Sequence, residues 1–545
     1  MINKKQCLIP LMLLSAALSF AQSNTSALLP MPNQIAQTAG EKSFVLTATT
    51  VIRTNLPQSS FCVSELQRIL QKRTGVMVAT NNTSHTSARS VIELLLDASI
   101  KGDEHYLVDI SAGHLVIKGA TTGAILYGIM TLDQLLLGDV CHTAAKEIAP
   151  VQINDEPRLE YRALMLDPAR HFIPIDDIKF YIDQMVKYKY NALQLHLTDD
   201  QGWRIEIKKH PGLTKTGAFR DKQSGSNGPH NGFYTQQQLK DLILYAEERN
   251  IEIIPEIDIP GHTVAILATY PELGCTHTDT MPKVMGKTVD LMLCANNEKV
   301  YAVLDDIIQE VSSLFPSSKI HLGGDEAVIE KNWTKCEKCQ SLMKQFGYTK
   351  ESQLMNYFFG KVLTSVEKQN KKPMLWCELD NIRMPANQYL FDYPQEATLI
   401  SWRDGLTPKC IELAARHGND LILAPGEYAY LDYPQFKGDL PEFKNWGMPV
   451  TTLEKCYQFD PGYGLPVTKQ AHIKGILGTL WGEAIMDVNR LTYMTFPRGL
   501  ALAEAGWTQM EHRNWNSFKE RLYPNLTDLM KGGVSIRVPF EIVKR

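Results

Sequence analysis

Ile320-His321-Leu322-Gly323-Gly324-Asp325-Glu326 is a short apolar run that passes through two glycines into two adjacent carboxylates. Neighbouring side chains in a regular strand point to opposite faces. Asp325 and Glu326 therefore serve one pocket only if the strand has ended before them. Glycine accepts backbone angles and close approaches that other residues do not, and the Gly323-Gly324 pair supplies that turn. Taken alone, such a motif fits a helix start or a solvated loop as well as a site, so its meaning depends on what surrounds it.

Working outward, the same kind of apolar run recurs eight times: Ala163 to Leu166, Ala192 to Leu197, Ile251 to Ile257, Lys319 to Leu322, Pro373 to Trp376, Thr398 to Trp402, Asp420 to Leu423 and Ile473 to Leu480. Amphipathic helical stretches lie between several of them, as at Asp176 to Tyr190, Thr235 to Arg249 and Glu298 to Leu314. Strands alternating with helices imply parallel pairing, and eight repeats predict an α/β fold, a (β/α)8 TIM barrel, over residues 156–545. Before Asn154-Asp155-Glu156-Pro157 the texture differs. Residues 22–155 mix β-rich runs (Tyr106 to Ile110, Leu115 to Ile117) with helical patterns at Ser64 to Lys72 and Thr122 to Leu137, which predicts a small α+β domain.

The 545 residues exceed the ~250 to 300 that one hydrophobic core organises, in keeping with two domains. A formal charge of -4, from 56 basic and 60 acidic residues without a long basic run, gives no electrostatic reason to expect nucleic acid or an anionic membrane surface. Lys4 and Lys5 precede an apolar run from Leu8 to Leu18, and Ser19-Phe20-Ala21 offers the small residues of a cleavage site. Residues 1–21 are thus expected to be a cleavable signal peptide and the protein secreted or periplasmic. No later run approaches the ~18 apolar residues of a membrane span. Export permits disulfides. Cys336-Glu337-Lys338-Cys339 is a single CxxC with no second pair at zinc-finger spacing, and Cys275 and Cys294 flank a polar segment. At least one bridge, Cys275 to Cys294 or Cys336 to Cys339, is expected, the alternative being reduced, buried thiols.

In a barrel of this kind the site lies at the C-terminal ends of the strands. Asp167 and Arg170 follow the first run; His196, Asp199 and Asp200 close the second; Glu256, Asp258 and His262 end the third. Asp325 and Glu326 end the fourth, Trp376 and Glu378 the fifth, and Trp402 the sixth. Tyr430 and Asp432 follow the seventh, and Trp481 and Glu483 the eighth. Carboxylates and an arginine hold sugar hydroxyls through charge-assisted hydrogen bonds, and tryptophan faces match the apolar side of a pyranose. The rim therefore points to carbohydrate.

The strings Leu166 to Phe172 (LDPARHF), His196 to Arg204 (HLTDDQGWR), Pro255 to His262 (PEIDIPGH), His321 to Glu326 (HLGGDE) and Leu480 to Glu483 (LWGE) resemble, in order, the β-N-acetylhexosaminidases of glycoside hydrolase family 20. The likeness runs from 155 to 510, and the preceding module looks like that family's small α+β domain. Ala163 departs from it, since relatives usually carry glycine there. The resemblance implies an exo-acting retaining hydrolase of glycans with terminal β-linked GlcNAc or GalNAc, without a metal or other cofactor. In it the substrate's own 2-acetamido oxygen is the nucleophile, Asp325 orients the acetamido group, Glu326 is the acid/base, and Tyr430 bonds the acetamido oxygen. Trp376, Trp402 and Trp481 would enclose the acetyl methyl; Arg170, Asp432 and Glu483 would hold sugar hydroxyls. Asp199 and His262 would tune the acid, and Trp446 would stack the next sugar. Three other readings remain open at this point: disaccharide release, a catalytically silent glycan-binding protein, and a barrel hydrolase with zinc on His196, His262 and His321.

Overall fold

The structure, a computed structural model, describes residues 24–37, 41–57, 59–80, 90–137, 145–220, 231–275, 291–378, 392–439 and 447–542. The expected signal peptide and Trp446 lie outside the described residues.

Eight parallel strands close into a barrel in chain order: β1 (Tyr161–Leu166), β2 (Ala192–His196), β3 (Glu252–Ile259), β4 (Lys319–Gly323), β5 (Lys372–Trp376), β6 (Thr398–Ser401), β7 (Leu421–Leu423) and β8 (Ile473–Leu480). Each of the eight apolar runs became one of these strands. Closure is made by β8 against β1, with Tyr161 opposite Gly475 and Leu166 opposite Leu480. The runs are apolar on both faces because both faces are covered. Tyr161, Ala163 and Met165 of β1 point inward and join Ala192, Ile254, Met374, Trp376, Ile400, Ile422, Ala424 and Leu477 in a barrel interior of their own. Leu164 and Leu166 point outward into the larger core beneath the helices. Helix Glu298–Leu314 shows how that layer forms. Its buried Val300, Leu304, Ile307, Ile308, Val311 and Leu314 repeat at helical spacing, and the Asn297 side chain caps it by accepting from the Lys299 amide at 3.2 Å.

The N-terminal domain is a seven-stranded mixed sheet whose strands run in space Gln34–Ala36, Val151–Asp155, Tyr106–Ser111, His114–Gly119, Val91–Leu96, Val51–Thr54 and Ala79–Thr80. Helix Thr122–Leu135, capped by the Thr121 hydroxyl, is buried along nearly its whole length between this sheet, helix Phe61–Thr74 and barrel helix Ile175–Lys187. A buried carboxylate, Asp155, lies at the junction. Asp155 accepts from the Tyr106 hydroxyl at 2.5 Å, from Lys189 at 3.4 Å and from the Trp507 indole at 3.0 Å. Beside it, Arg162 of β1 pairs with Glu104 of the small domain at 2.8 Å and lies over the Trp507 ring. No helix among the described residues is long and apolar enough to cross a membrane.

The expected disulfides are not present. Cys275, Cys294, Cys336 and Cys339 are all free cysteines. The two pairs were read as separate, whereas the fold brings them into one cluster.

Candidate active site

The quoted stretch turns as its glycines require. β4 ends at Gly323, and Gly323 (φ 66°) and Gly324 (φ 98°) both take left-handed angles. A Cβ on Gly323 would lie 1.7 Å from Asp258 Oδ1 and 2.9 Å from the Asp258 backbone, so no side chain fits. Glu326 follows in the left-handed region at φ 47°, a conformation that costs a non-glycine residue roughly 1–2 kcal/mol. Its amide donates to Glu378 Oε2 at 3.1 Å, which helps to hold it there. Asp325 is buried, while the Glu326 side chain is 46% exposed at the mouth.

His262, from the loop after β3, stands between these carboxylates and Asp199. Its Nε2 lies 3.7 Å from Asp325 and 3.6 Å from Glu326, and its Nδ1 lies 3.3 Å from Asp199 Oδ1. The other Asp199 oxygen receives Arg170 at 2.7 Å and His196 at 2.8 Å. His196 reaches Glu256 at 2.9 Å, and Glu256 accepts from the Trp376 indole at 2.8 Å and lies 3.1 Å from His321. A line of alternating acids and bases thus runs from the exposed Glu326 under the rim and, buried, to the barrel interior. The three histidines each lie against a carboxylate.

These contacts set the protonation states. Burial disfavours a charged His262, but the Asp199 and Asp258 carboxylates overcome it and hold the imidazole well above its ordinary range. The His262 imidazole, 3.6 Å away, in turn holds Glu326 below its ordinary range. Burial raises Asp325, against the pull of His262. Burial likewise pushes Glu378 up to about 7 despite Arg403 at 2.7 Å.

Across the mouth, Trp376 lies buried in the barrel interior while Trp402 and Trp481 pack half-buried against it. The Trp376 and Trp481 rings are 5.7 Å apart, and the Tyr430 ring is 6.3 Å from Trp481. Asp325 Oδ1, Trp402 Nε1 and Asp432 Oδ1 are buried with no hydrogen-bond partner among the described residues. The Tyr430 hydroxyl makes no well-formed bond either and leans only toward the Trp481 indole. It is close enough to Asp325 for that charge to help raise the phenol, although burial is the larger cause. Buried polar groups are normally satisfied, so these atoms are candidate contact points for a ligand. Arg170 lies over Trp481 at 5.0 Å and within the field of Glu483, whose charge also reaches Asp432.

The predicted residues Arg170, Asp199, His262, Asp325, Glu326, Trp376, Trp402, Tyr430, Asp432, Trp481 and Glu483 are thus brought together at one end of the barrel. The sequence reading gave no role to Arg403. It stacks on Trp402 at 4.1 Å, pairs with Glu378 and approaches Glu326 at 4.0 Å. Its only sequence signal is its place directly after Trp402 at a strand end.

Comparison with known proteins agrees with this architecture. The family profile described as the catalytic domain of glycosyl hydrolase family 20 matches residues 159–510, and that family's domain 2 matches residues 25–156. A β-hexosaminidase of Akkermansia muciniphila is 37% identical over 445 residues, 81% of this chain and 87% of that protein. The solved exo-β-N-acetylglucosaminidase of Vibrio harveyi, in complex with N-acetylglucosamine, is 30% identical with a TM-score of 0.81, covering 95% of this chain and 79% of that one. The N-acetyl-β-hexosaminidase of Streptomyces plicatus is 29% identical, also with a TM-score of 0.81, covering 96% and 98%. The chain belongs to glycoside hydrolase family 20, the β-N-acetylhexosaminidases.

Proposed function

We propose that this enzyme removes terminal β-linked GlcNAc or GalNAc from glycans with retention, using the substrate's own 2-acetamido oxygen as nucleophile. The observation that carries this reading is the pairing of two unsatisfied groups, Asp325 Oδ1 and the Tyr430 hydroxyl, beside the Trp376, Trp402 and Trp481 faces. An acetamido group supplies what they lack. Its N–H donates to Asp325, its carbonyl oxygen accepts from Tyr430, and its methyl meets the tryptophans.

Held in that pose, the carbonyl oxygen attacks the anomeric carbon. The glycosidic C–O bond breaks, its electron pair goes to the leaving oxygen, and Glu326 gives that oxygen a proton. The Asp325 carboxylate stabilises the cyclic oxazolinium cation. Water then attacks the anomeric carbon and returns a proton to Glu326 as the bond from that carbon to the acetamido oxygen breaks and the acetamido group is restored, and two inversions give retention. Family 20 is a stated exception to the two-carboxylate scheme of retaining glycosidases. His262 and Glu326 share the proton that is used. It rests on His262 in the open site and passes to Glu326 as substrate covers the mouth and makes a charged carboxylate costlier. Arg170, Asp432 and Glu483 supply donors and acceptors for the hydroxyls of a terminal sugar, which supports an exo-acting enzyme. The Lys4-Lys5 and Leu8 to Leu18 pattern, ending in Ser19-Phe20-Ala21, supports export from the cytoplasm.

A thiazoline analogue of the cyclic intermediate tests this reading. It is expected to bind at least ~100-fold more tightly than the product sugar, as analogues of high-energy species do. Binding no tighter than product, or a trapped covalent glycosyl ester on the enzyme, contradicts it.

A further inference from the structure

Cys275, Cys294, Cys336 and Cys339 converge outside the catalytic pocket, with all four sulfurs within 4.8 Å of one another. Three are buried and Cys275 is half-buried. A zinc ion bound by four thiolates at about 2.3 Å sets the sulfurs at the corners of a tetrahedron with edges of about 3.8 Å. The sulfurs stand 3.7 Å (Cys275 to Cys339), 3.7 Å (Cys294 to Cys339) and 3.9 Å (Cys294 to Cys336) apart. We propose that these cysteines form a tetrathiolate site that binds one zinc ion.

The backbone is built for it. Cys336 precedes helix Glu337–Phe346 and Cys339 lies in its first turn, so the CxxC presents both sulfurs from one helix start. Both sulfurs therefore stand at a helix N-terminus, where the helix dipole favours thiolate. The second pair comes from the loop after β3, where Gly274 and Leu293 form an antiparallel bridge and the Cys294 amide donates to Leu273 at 2.9 Å. Trp333, wholly buried, donates its indole N–H to the Leu293 carbonyl at 2.8 Å and locks the two halves together. On binding Zn²⁺, four thiols release four protons and the centre carries a net charge of -2. No oxidant is needed, and the coordinated thiolates are withheld from disulfide formation.

The site ties the loop after β3 to the loop after β4. Leu293, next to Cys294, donates to the Pro260 carbonyl at 3.0 Å, two residues before His262. Gly261 in turn approaches the backbone of Asp325 and Ala327. The zinc thus anchors, from outside the pocket, the two loops that carry His262 and the Asp325-Glu326 pair.

The test uses the full chain, purified without chelator or added metal. Elemental analysis is expected to find one zinc per chain. Titration of the native protein with an organomercurial in the presence of a zinc-sensitive dye is expected to release that zinc as four thiols are consumed. Cys294→Ser and Cys339→Ser should each lose the zinc and lower the melting temperature. The organomercurial readout needs no variant and stands if these fail to fold. Zinc-free protein whose unreduced peptides show disulfides among these four cysteines, or four freely alkylated thiols, overturns the proposal.

Discussion

His262 stands between two carboxylates, with Asp199 at 3.3 Å on one side and Glu326 at 3.6 Å on the other. Removing its charge has a definite sign. In the wild type the His262 imidazole is held above its usual range and Glu326 below its own, so the proposed shared proton favours the imidazole. Without the imidazole that proton sits on Glu326 itself and is lost in the carboxylate range. In His262→Asn the alkaline limb of kcat/KM should therefore move to lower pH; an unmoved limb would show that His262 does not share the catalytic proton. Glu326→Gln should lower turnover ~100- to 10,000-fold on substrates whose leaving group needs protonation, and less on activated aryl glycosides. Equal losses on both, measured side by side, would remove Glu326 from the role of acid. Much of this site was legible because each side chain follows its own strand end. Arg403 was not, since its importance lies in stacking on Trp402 and bridging Glu378 to Glu326, contacts that only the closed barrel creates.

The strand β4 with its two glycines shows why elements could be read from sequence. Apolar residues on both faces signal a strand covered on both sides, and the Gly-Gly ending signals a turn. Helix Glu298–Leu314 matched its predicted bounds because its apolar spacing and Asn297 cap agree. The four cysteines were illegible for the opposite reason. Their partners come from different loops, and sequence spacing carries no information about which loops a barrel sets side by side. The glycine turn gives a comparison at this scale. Gly323→Ala and Gly347→Ala both place a methyl at a left-handed φ, 66° and 68°, which costs roughly 1–2 kcal/mol. At Gly347 nothing lies within 4 Å, whereas at Gly323 the methyl strikes Asp258. Gly347→Ala should lose only that backbone cost and keep activity, while Gly323→Ala should lose more stability and most activity. Equal losses by denaturant titration would mean that the β4 turn is not the constraint.

At the scale of the whole molecule, the small sheet domain and the barrel share the Asp155, Tyr106, Lys189 and Trp507 cluster. That cluster lies at residues 106, 155, 189 and 507, so only the folded chain assembles it. The barrel does the same at its rim, drawing Arg170, His262, Asp325, Tyr430 and Trp481 from five different strand ends. The proposed recognition of the 2-acetamido group is addressed directly by one measurement. kcat/KM is compared for the matched nitrophenyl glycosides of β-GlcNAc and β-glucose, which differ only at C2. The glucoside has no acetamido oxygen to attack the anomeric carbon and leaves Asp325 and Tyr430 unpaired, so kcat/KM for β-GlcNAc should exceed it by several orders of magnitude. Comparable values for the two would contradict substrate-assisted catalysis and turn the search for a nucleophile to Asp258, Glu378 or Glu483.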